Sequence, residues 1–250
     1  MTVFGSKDLL VITIIVLAAC GFALCQTKQL TEGDRPANID PALWKRMLDI
    51  DSRAGKITSL TANFEQRKYT ALLKKPLIST GSIRVRGSTM RWDTLQPSKS
   101  ILLIDEREVR IFYPSPAPGV LEIYTVDQRM AELAASPLPR LAVLKEKFSF
   151  QPIATKELDE SADPNKFLAF SMKPSDPSLA QHIQEVRVLL DESAAYIVKA
   201  EMTDADGDRT VLRFTDVKVN VDTGDLDLKI PAGAKVTRPL EGLNAAPGSR

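Results

Sequence analysis

From Leu60 onward the apolar residues recur with a period of two, and that period sends the side chains of an extended chain to alternate faces of a sheet. Leu60, Ala62 and Phe64 fall on one face, and Thr61, Asn63 and Glu65 on the other. Short runs of the same kind follow at Ile83 and Val85, at Met90 and Trp92, and at residues 101–104, 109–113 and 121–126. Turn formers separate them: Gly81, Gly87-Ser88, Pro97-Ser98 and the stretch from Pro114 to Gly119. This is the spacing of an antiparallel meander. Further runs at 148–151, 167–172, 186–190, 196–202, 210–219 and 226–229 bring the expectation to about ten or eleven strands, with no internal repeat.

Two segments break the rhythm. Asp40 followed by Pro41 reads as a helix N-cap and first turn, and Leu43, Trp44, Met47, Leu48 and Ile50 recur at helical spacing behind them. Residues 127–147 carry Met130, Leu133 and Ala134 on one helical face, are interrupted by Pro137 and Pro139, and resume with Leu141, Val143 and Leu144. A short helix, a kinked loop and a second helix are expected there. The class is therefore mainly β, with one helix before the strands and a helical insertion in their middle.

The chain opens with an apolar run from Leu9 to Cys25, 17 residues preceded by Lys7, which reads as an export signal at the lower limit of membrane-spanning length. Within it Leu17-Ala18-Ala19-Cys20 has the look of a lipobox, so Cys20 is a candidate lipidation site, and the alternative is a cysteine behaving as a small hydrophobe in a signal helix. The expected organisation is a signal over residues 1–25, a flexible polar leader over 26–39, one domain over 40–237 and a tail over 238–250. The body is expected to be exported, free or held by a lipid anchor on Cys20.

Composition narrows the function by exclusion. Lys plus Arg number 33 against 32 Asp plus Glu, so the net charge of +1 supplies no electrostatic footprint for nucleic acid. Both cysteines lie in the apolar leader, and His182 is the single histidine, so neither a zinc cluster nor a cysteine nucleophile is available to the body. No G-x-S-x-G elbow accompanies His182, which reads as a loop residue. Asp204, Asp206 and Asp208 form D-A-D-G-D, but Gly207 stands at the fourth position rather than the sixth, so a hairpin turn is the reading rather than a calcium loop. No catalytic residue, metal or cofactor is expected.

What remains is apolar. Phe64, Ile83, Val85, Trp92, Phe112 and Ile123 on the strands, with Met130, Leu133 and Leu141 from the insertion, are the candidate ligand-contacting residues. A sheet of this size has one broad inner face, and about two helices are on hand to cover it. An uncovered remainder is a place for an apolar ligand.

The motifs in their order resemble the LolA family of periplasmic lipoprotein carriers. Leu60-Thr-Ala-Asn-Phe-Glu-Gln66 is similar to the family's opening strand, Gly81-Ser-Ile-Arg-Val-Arg86 with Met90-Arg-Trp92 to its first hairpin, and Gln96-Pro97 through Pro114 to the segment after it. Phe214-Thr-Asp-Val-Lys-Val-Asn220 and Ile230-Pro-Ala-Gly233 resemble its closing strand and terminus. The resemblance implies an incomplete, strongly curved antiparallel β-barrel with a helical lid, here residues 127–147, with Leu138 near its hinge. It implies a monomer that receives the acyl chains of lipoproteins or lipids from an inner-membrane transporter and passes them to an outer-membrane acceptor. The location it implies is the periplasm, or the outer membrane for an anchored form. It also puts the family's lid-side arginine on Arg86, although one residue fewer separates it from Trp92 and Gly87 replaces a proline, which leaves Arg84 as the neighbouring alternative.

The mature N-terminus separates a soluble carrier from the alternative, a lipid-anchored acceptor or envelope-integrity protein on the same fold that is held by Cys20 and does not shuttle. A mass consistent with cleavage beyond Cys20 and no added acyl groups is expected for the soluble form, and a mass beginning at Cys20 with added acyl mass for the anchored form.

Overall fold

The computed structural model describes residues 30–37, 39–105, 108–125 and 141–239. Asp40 caps the first helix, α1 (Pro41–Ala54), its Oδ1 accepting from the Leu43 amide at 2.9 Å with Pro41 in the first turn. The strands follow as β1 (Ser59–Tyr69), β2 (Leu77–Arg86), β3 (Thr89–Gln96), β4 (Ser100–Ile104), β5 (Glu108–Tyr113) and β6 (Val120–Thr125). Of the expected 127–147 insertion, the described part begins at α2 (Leu141–Lys147), which leads into β7 (Phe148–Pro152). Then come β8 (Phe167–Pro174), the single turn α3 (Pro177–Ala180), β9 (Ile183–Asp191), β10 (Tyr196–Asp204), β11 (Arg209–Val219) and β12 (Lys235–Thr237).

All twelve strands belong to one sheet in the order β12-β6-β5-β4-β3-β2-β1-β11-β10-β9-β8-β7. Every neighbouring pair is antiparallel except β12 with β6, which is parallel. The sheet is thus two meanders, β1 to β6 and β7 to β11, joined where β1 pairs with β11. Asp206-Gly207 forms the β10–β11 hairpin turn, with the Asp204 carboxylate accepting from the amides of Asp206 and Asp208 at 3.1 and 2.9 Å and Gly207 at φ +85°.

The sheet is curved and remains open, with β7 and β12 at its edges. Irregularities along its central strands supply bend and twist. Where Thr61 pairs with Lys218 and Asn63 with Thr215, β11 carries an extra residue; Asp216 there adopts φ +51°, and its carboxylate accepts from Asn63 Nδ2 at 2.8 Å. A second shift lies between Ile197 and Lys199 of β10, and a third between Thr80 and Gly81 of β2.

Two elements differ from expectation. The strand expected at 226–229 is absent: residues 220–234 form no ladder, and Gly224 and Asp227 donate instead to the carboxylates of Asp222 and Asp225. The ladder is made further on, by β12. The polar stretch expected as a flexible leader is tied to the domain from Leu30 onward. Leu30 packs on the core, Ile39 is buried, and the Thr31 carbonyl accepts from Trp44 Nε1 at 3.1 Å, so these apolar anchors outweigh the polar composition around them.

The inner face, defined as the one α1 packs against, carries two contiguous apolar clusters bridged by Ile197. Leu43, Trp44, Met47 and Ile50 of α1, with Leu141 of α2, meet Phe150, Leu168, Phe170, Val188 and Leu190 of β7 to β9. A smaller cluster of Leu158, Ala162, Ala169 and Leu189 lies on the opposite face. The second inner cluster occupies β1 to β5 and β11.

Gly81 is the tightest point of the central sheet. A Cβ there would stand 1.9 Å from the Asp93 carbonyl oxygen and 2.8 Å from Phe64 Cε1, because β3 and the Phe64 ring both close on the bare backbone. Gly81→Ala is expected to cost about 2 kcal/mol or more. In urea unfolding this appears as a lower midpoint at unchanged slope; an unshifted midpoint would contradict the close approach.

Candidate ligand-binding face

The second inner cluster is built by cross-strand register. Phe64 of β1 is opposite Gly81 of β2 on one side and Phe214 of β11 on the other, while Trp92 of β3 is opposite Ile83 of β2 and Leu102 of β4. Directly opposed residues share a face, so these side chains form one floor. Its centre is aromatic: the Phe64 and Trp92 rings are 4.4 Å apart at 44°, and Trp92 and Phe214 are 6.3 Å apart at 74°. Leu60, Val85, Met90, Ile104, Val109, Ile111 and Leu212 extend it, and Tyr113, Tyr124 and Tyr196 stand partly buried against it. Among the described residues, α1 and α2 pack with the cluster on β7 to β10, and no helix packs with this one.

The floor is bounded along β1 by a change of chemistry. The alternation that places Leu60, Ala62 and Phe64 inward continues with Gln66 and Lys68, which are 2 % and 3 % exposed. Ser79 and Thr210, their partners across the sheet, are buried as well, and Lys68 Nζ lies 3.8 Å from the Asp208 carboxylate. An apolar chain lying along β1 therefore meets hydrocarbon and aromatic rings as far as Phe64 and polar groups beyond.

Phe64, Ile83, Val85 and Trp92, all expected as ligand contacts, come together on this floor. Leu141 is buried in the other inner cluster, against α1, with its amide donating to Asp51 Oδ1 at 2.9 Å. Phe112 and Ile123 are corrections: they lie on the outer face. Phe112 is opposite Leu121 and Ile101, and Ile123 is opposite Arg110, whereas Val109 and Ile111, one residue away, face the floor. In residues 109–113 Phe112 shares its parity with Arg110, and in 121–124 the apolar Leu121 and Ile123 alternate with Glu122 and Tyr124, so the size and apolarity of single residues mislead about the face there. Met130, Leu133 and Leu138 lie outside the described residues. Leu102, Ile104, Val109, Ile111, Leu212 and Phe214 join the floor without having been singled out in the sequence. Their strands are legible there, but their place depends on which strands pair.

Arg86 and its alternative, Arg84, alternate with Ile83 and Val85 and so lie on the outer face. There they hold a strap, residues 220–234, that runs from the end of β11 to β12. Arg84 donates to the carbonyls of Thr223 and Asp225 at 3.3 and 3.0 Å, Arg86 to that of Gly224 at 3.3 Å, and Arg91 to those of Asp227 and Leu226 at 2.5 and 3.5 Å. The expected lid contact of Arg86 is thereby replaced, within the described residues, by a strap contact. Asp93 ties the group together, accepting from Arg91 at 2.8 Å and from Arg84 at 3.0 Å. Burial alone would raise the Asp93 carboxyl, but the hydrogen bonds from Arg91 and Arg84 hold it below its ordinary value.

An unclosed, curved, mainly antiparallel sheet with one wide apolar face, half of it packed with the described helices α1 and α2, defines a half-barrel fold. More specifically, the chain belongs to the LolA family: the model of the outer membrane lipoprotein carrier protein LolA matches residues 55–226, more than half of its length. No curated protein matches it in sequence. Among solved structures, it is similar to the MucA/MucB complex of Pseudomonas aeruginosa at 14 % identity and a TM-score of 0.45, over 75 % of this chain and 61 % of that one. The chain therefore spans under two thirds of that relative. A LolA superfamily protein from Nitrosomonas europaea aligns at 14 % identity and a TM-score of 0.36, covering 72 % of this chain and 94 % of that one. The lipoprotein LppX of Mycobacterium tuberculosis aligns at 9 % identity and 0.39, covering 74 % and 100 %.

The arginines of the strap differ in what they hold. Arg91→Ala removes charge-assisted bonds to a half-buried carboxylate and is expected to cost about 1–3 kcal/mol, whereas Arg86→Ala, which loses one long exposed bond, should stay within about 0.5 kcal/mol of wild type. Because Asp93 is depressed in the folded state, its contribution is complete above the unfolded carboxylate value of about 4 and is lost as pH falls below it. Acid unfolding curves should accordingly show a smaller loss below pH about 4 in Arg91→Ala than in wild type.

Proposed function

We propose that this protein is a periplasmic carrier that receives the acyl chains of lipoproteins or lipids on the inner face of β1 to β5 and β11 and delivers them towards the outer membrane. The observation that carries the reading is one wide apolar face with an aromatic-centred floor on β1 to β5 and β11, with which no described helix packs, whereas α1 and α2 pack with the β7 to β10 half. Membership of a family of binding and carrier proteins supports it. The floor offers contact area and shape without a charged group, which suits hydrocarbon and leaves nothing for bond-making chemistry.

Affinity has an upper bound in such a carrier. Burial of acyl chain contributes about 0.8 kcal/mol per CH₂, so enclosing three long chains completely would pass the practical ceiling of about 18–21 kcal/mol for non-covalent binding. A carrier that unloads must cover its cargo partly, or spend part of the binding free energy on a conformational change, so that transfer from a transporter in the inner membrane to an acceptor in the outer membrane runs downhill. A monomer suffices for this role.

The mature protein is expected to retain extractable lipid or to bind a fluorescent fatty acid saturably and close to one site per chain. Native mass spectra showing only the bare protein, together with no saturable binding of the probe, would refute the carrier reading.

A further inference from the structure

The protein has two tryptophans, and both indole rings are buried, but their N–H groups differ in circumstance. Trp44 in α1 donates its Nε1–H to the Thr31 carbonyl at 3.1 Å. Trp92 is 6 % exposed, and its Nε1 finds no hydrogen-bond partner among the described residues. An indole nitrogen donates and cannot accept, and buried tryptophans ordinarily find an acceptor. An orphaned donor at the centre of an apolar floor therefore calls for an explanation.

Packing does not supply one. The Trp92 ring contacts Phe64 at 4.4 Å and Phe214 at 6.3 Å, and a phenylalanine at this position would keep an aromatic ring there without desolvating a donor. The residues opposite it in the ladder, Ile83 and Leu102, have no side-chain acceptor to give. The missing partner must arrive with whatever occupies the floor. A bare hydrocarbon brings no acceptor, whereas an acyl chain joined through an ester or an amide brings a carbonyl oxygen at its head.

We propose that the Trp92 indole N–H is the polar anchor of the site, donating to the carbonyl oxygen of an ester- or amide-linked acyl group and so selecting acyl chains over hydrocarbon of equal length. The inference rests on the carrier reading, because the ligand must lie on this face. It adds a direction to binding: the linked end of the chain lies at Trp92, and the hydrocarbon extends from it over the apolar floor. The cost of the unpaired donor falls on the empty protein, and the bond formed on loading removes it.

The two indoles make the test internally controlled. The mature protein, labelled with ¹⁵N at tryptophan, gives two indole N–H signals, and Trp92→Phe identifies which is which by removing one. Methyl palmitate, N-methylpalmitamide and n-octadecane, each delivered from cyclodextrin, are titrated in turn. The expected result is a downfield shift of the Trp92 proton with the ester and the amide and none with octadecane, while the Trp44 signal stays in place. Comparison of the first two shows whether ester or amide linkage is preferred. Trp92→Phe should bind methyl palmitate roughly five- to tenfold more weakly, the loss of one neutral hydrogen bond, and bind octadecane unchanged. Equal weakening for ester and hydrocarbon, or an unmoved Trp92 signal on binding of the ester, overturns the anchor and leaves the carrier reading standing. Failure of all three probes to bind overturns both. Should Trp92→Phe not fold, the wild-type shifts decide the matter alone.

Discussion

Everything in the fold depends on the pairing of β1 with β11. Each of the other antiparallel contacts joins strands that are neighbours in sequence and forms locally, but this one brings Phe64 against Phe214 and Gln66 against Leu212 across most of the domain. It converts two meanders into one surface and, in doing so, assembles the aromatic centre: Phe64 comes from one side of the junction, Phe214 from the other, and Trp92 from two strands away. The same junction carries the Asp216 bulge, so the bend of the sheet and the continuity of its inner face have one origin. Loop-closure entropy makes such a contact slow to form, and the two halves cannot share a face until it does.

A sheet this wide divides its labour between its two sides. The inner side is mostly apolar, broken along β1 by Gln66 and Lys68, and the described helices α1 and α2 pack with one half of it. The outer side carries most of the charge alongside a small apolar cluster: the Arg84, Arg91 and Asp93 group binds the strap, and Glu201 sits among Lys199, Arg187 and Arg209 at 2.9, 3.8 and 3.5 Å. The two-residue period keeps these ion pairs away from the aromatic floor, and a substitution that slips register by one residue would exchange them.

How much of this was legible in the sequence depends on the range of the interaction involved. Local signals were reliable: Asp40 and Pro41 cap and start α1, Asp206-Gly207 turns the last hairpin, and alternation places Phe64, Ile83, Val85 and Trp92 together. Face assignment is misled at Phe112, which shares its parity with Arg110, and at Ile123, whose run alternates cleanly but presents Leu121 and Ile123 to the outer face. Arg86 has a strap contact that was out of reach for a different reason. Its parity with Arg84 was plain, but what lies over the outer face, a strap from more than a hundred residues away, could not be inferred from local pattern. Leu212 and Phe214 were recognisable as strand residues and not as floor residues, since nothing short of the β1–β11 register puts them there. The orphaned Trp92 nitrogen is likewise invisible to sequence, because it is defined by what surrounds it.

The strap has one more consequence, which concerns self-association. An open sheet has two edges, and each displays unpaired amides and carbonyls able to template another chain. By carrying β12 across to β6, the strap makes one of them a parallel strand of only three residues. The other edge is β7, five residues long and ended by Pro152, whose nitrogen has no hydrogen to donate. Short edge strands of this kind offer little template for edge-to-edge pairing while the sheet stays unclosed, and the arginines that hold the strap keep β12 in place from the outer face.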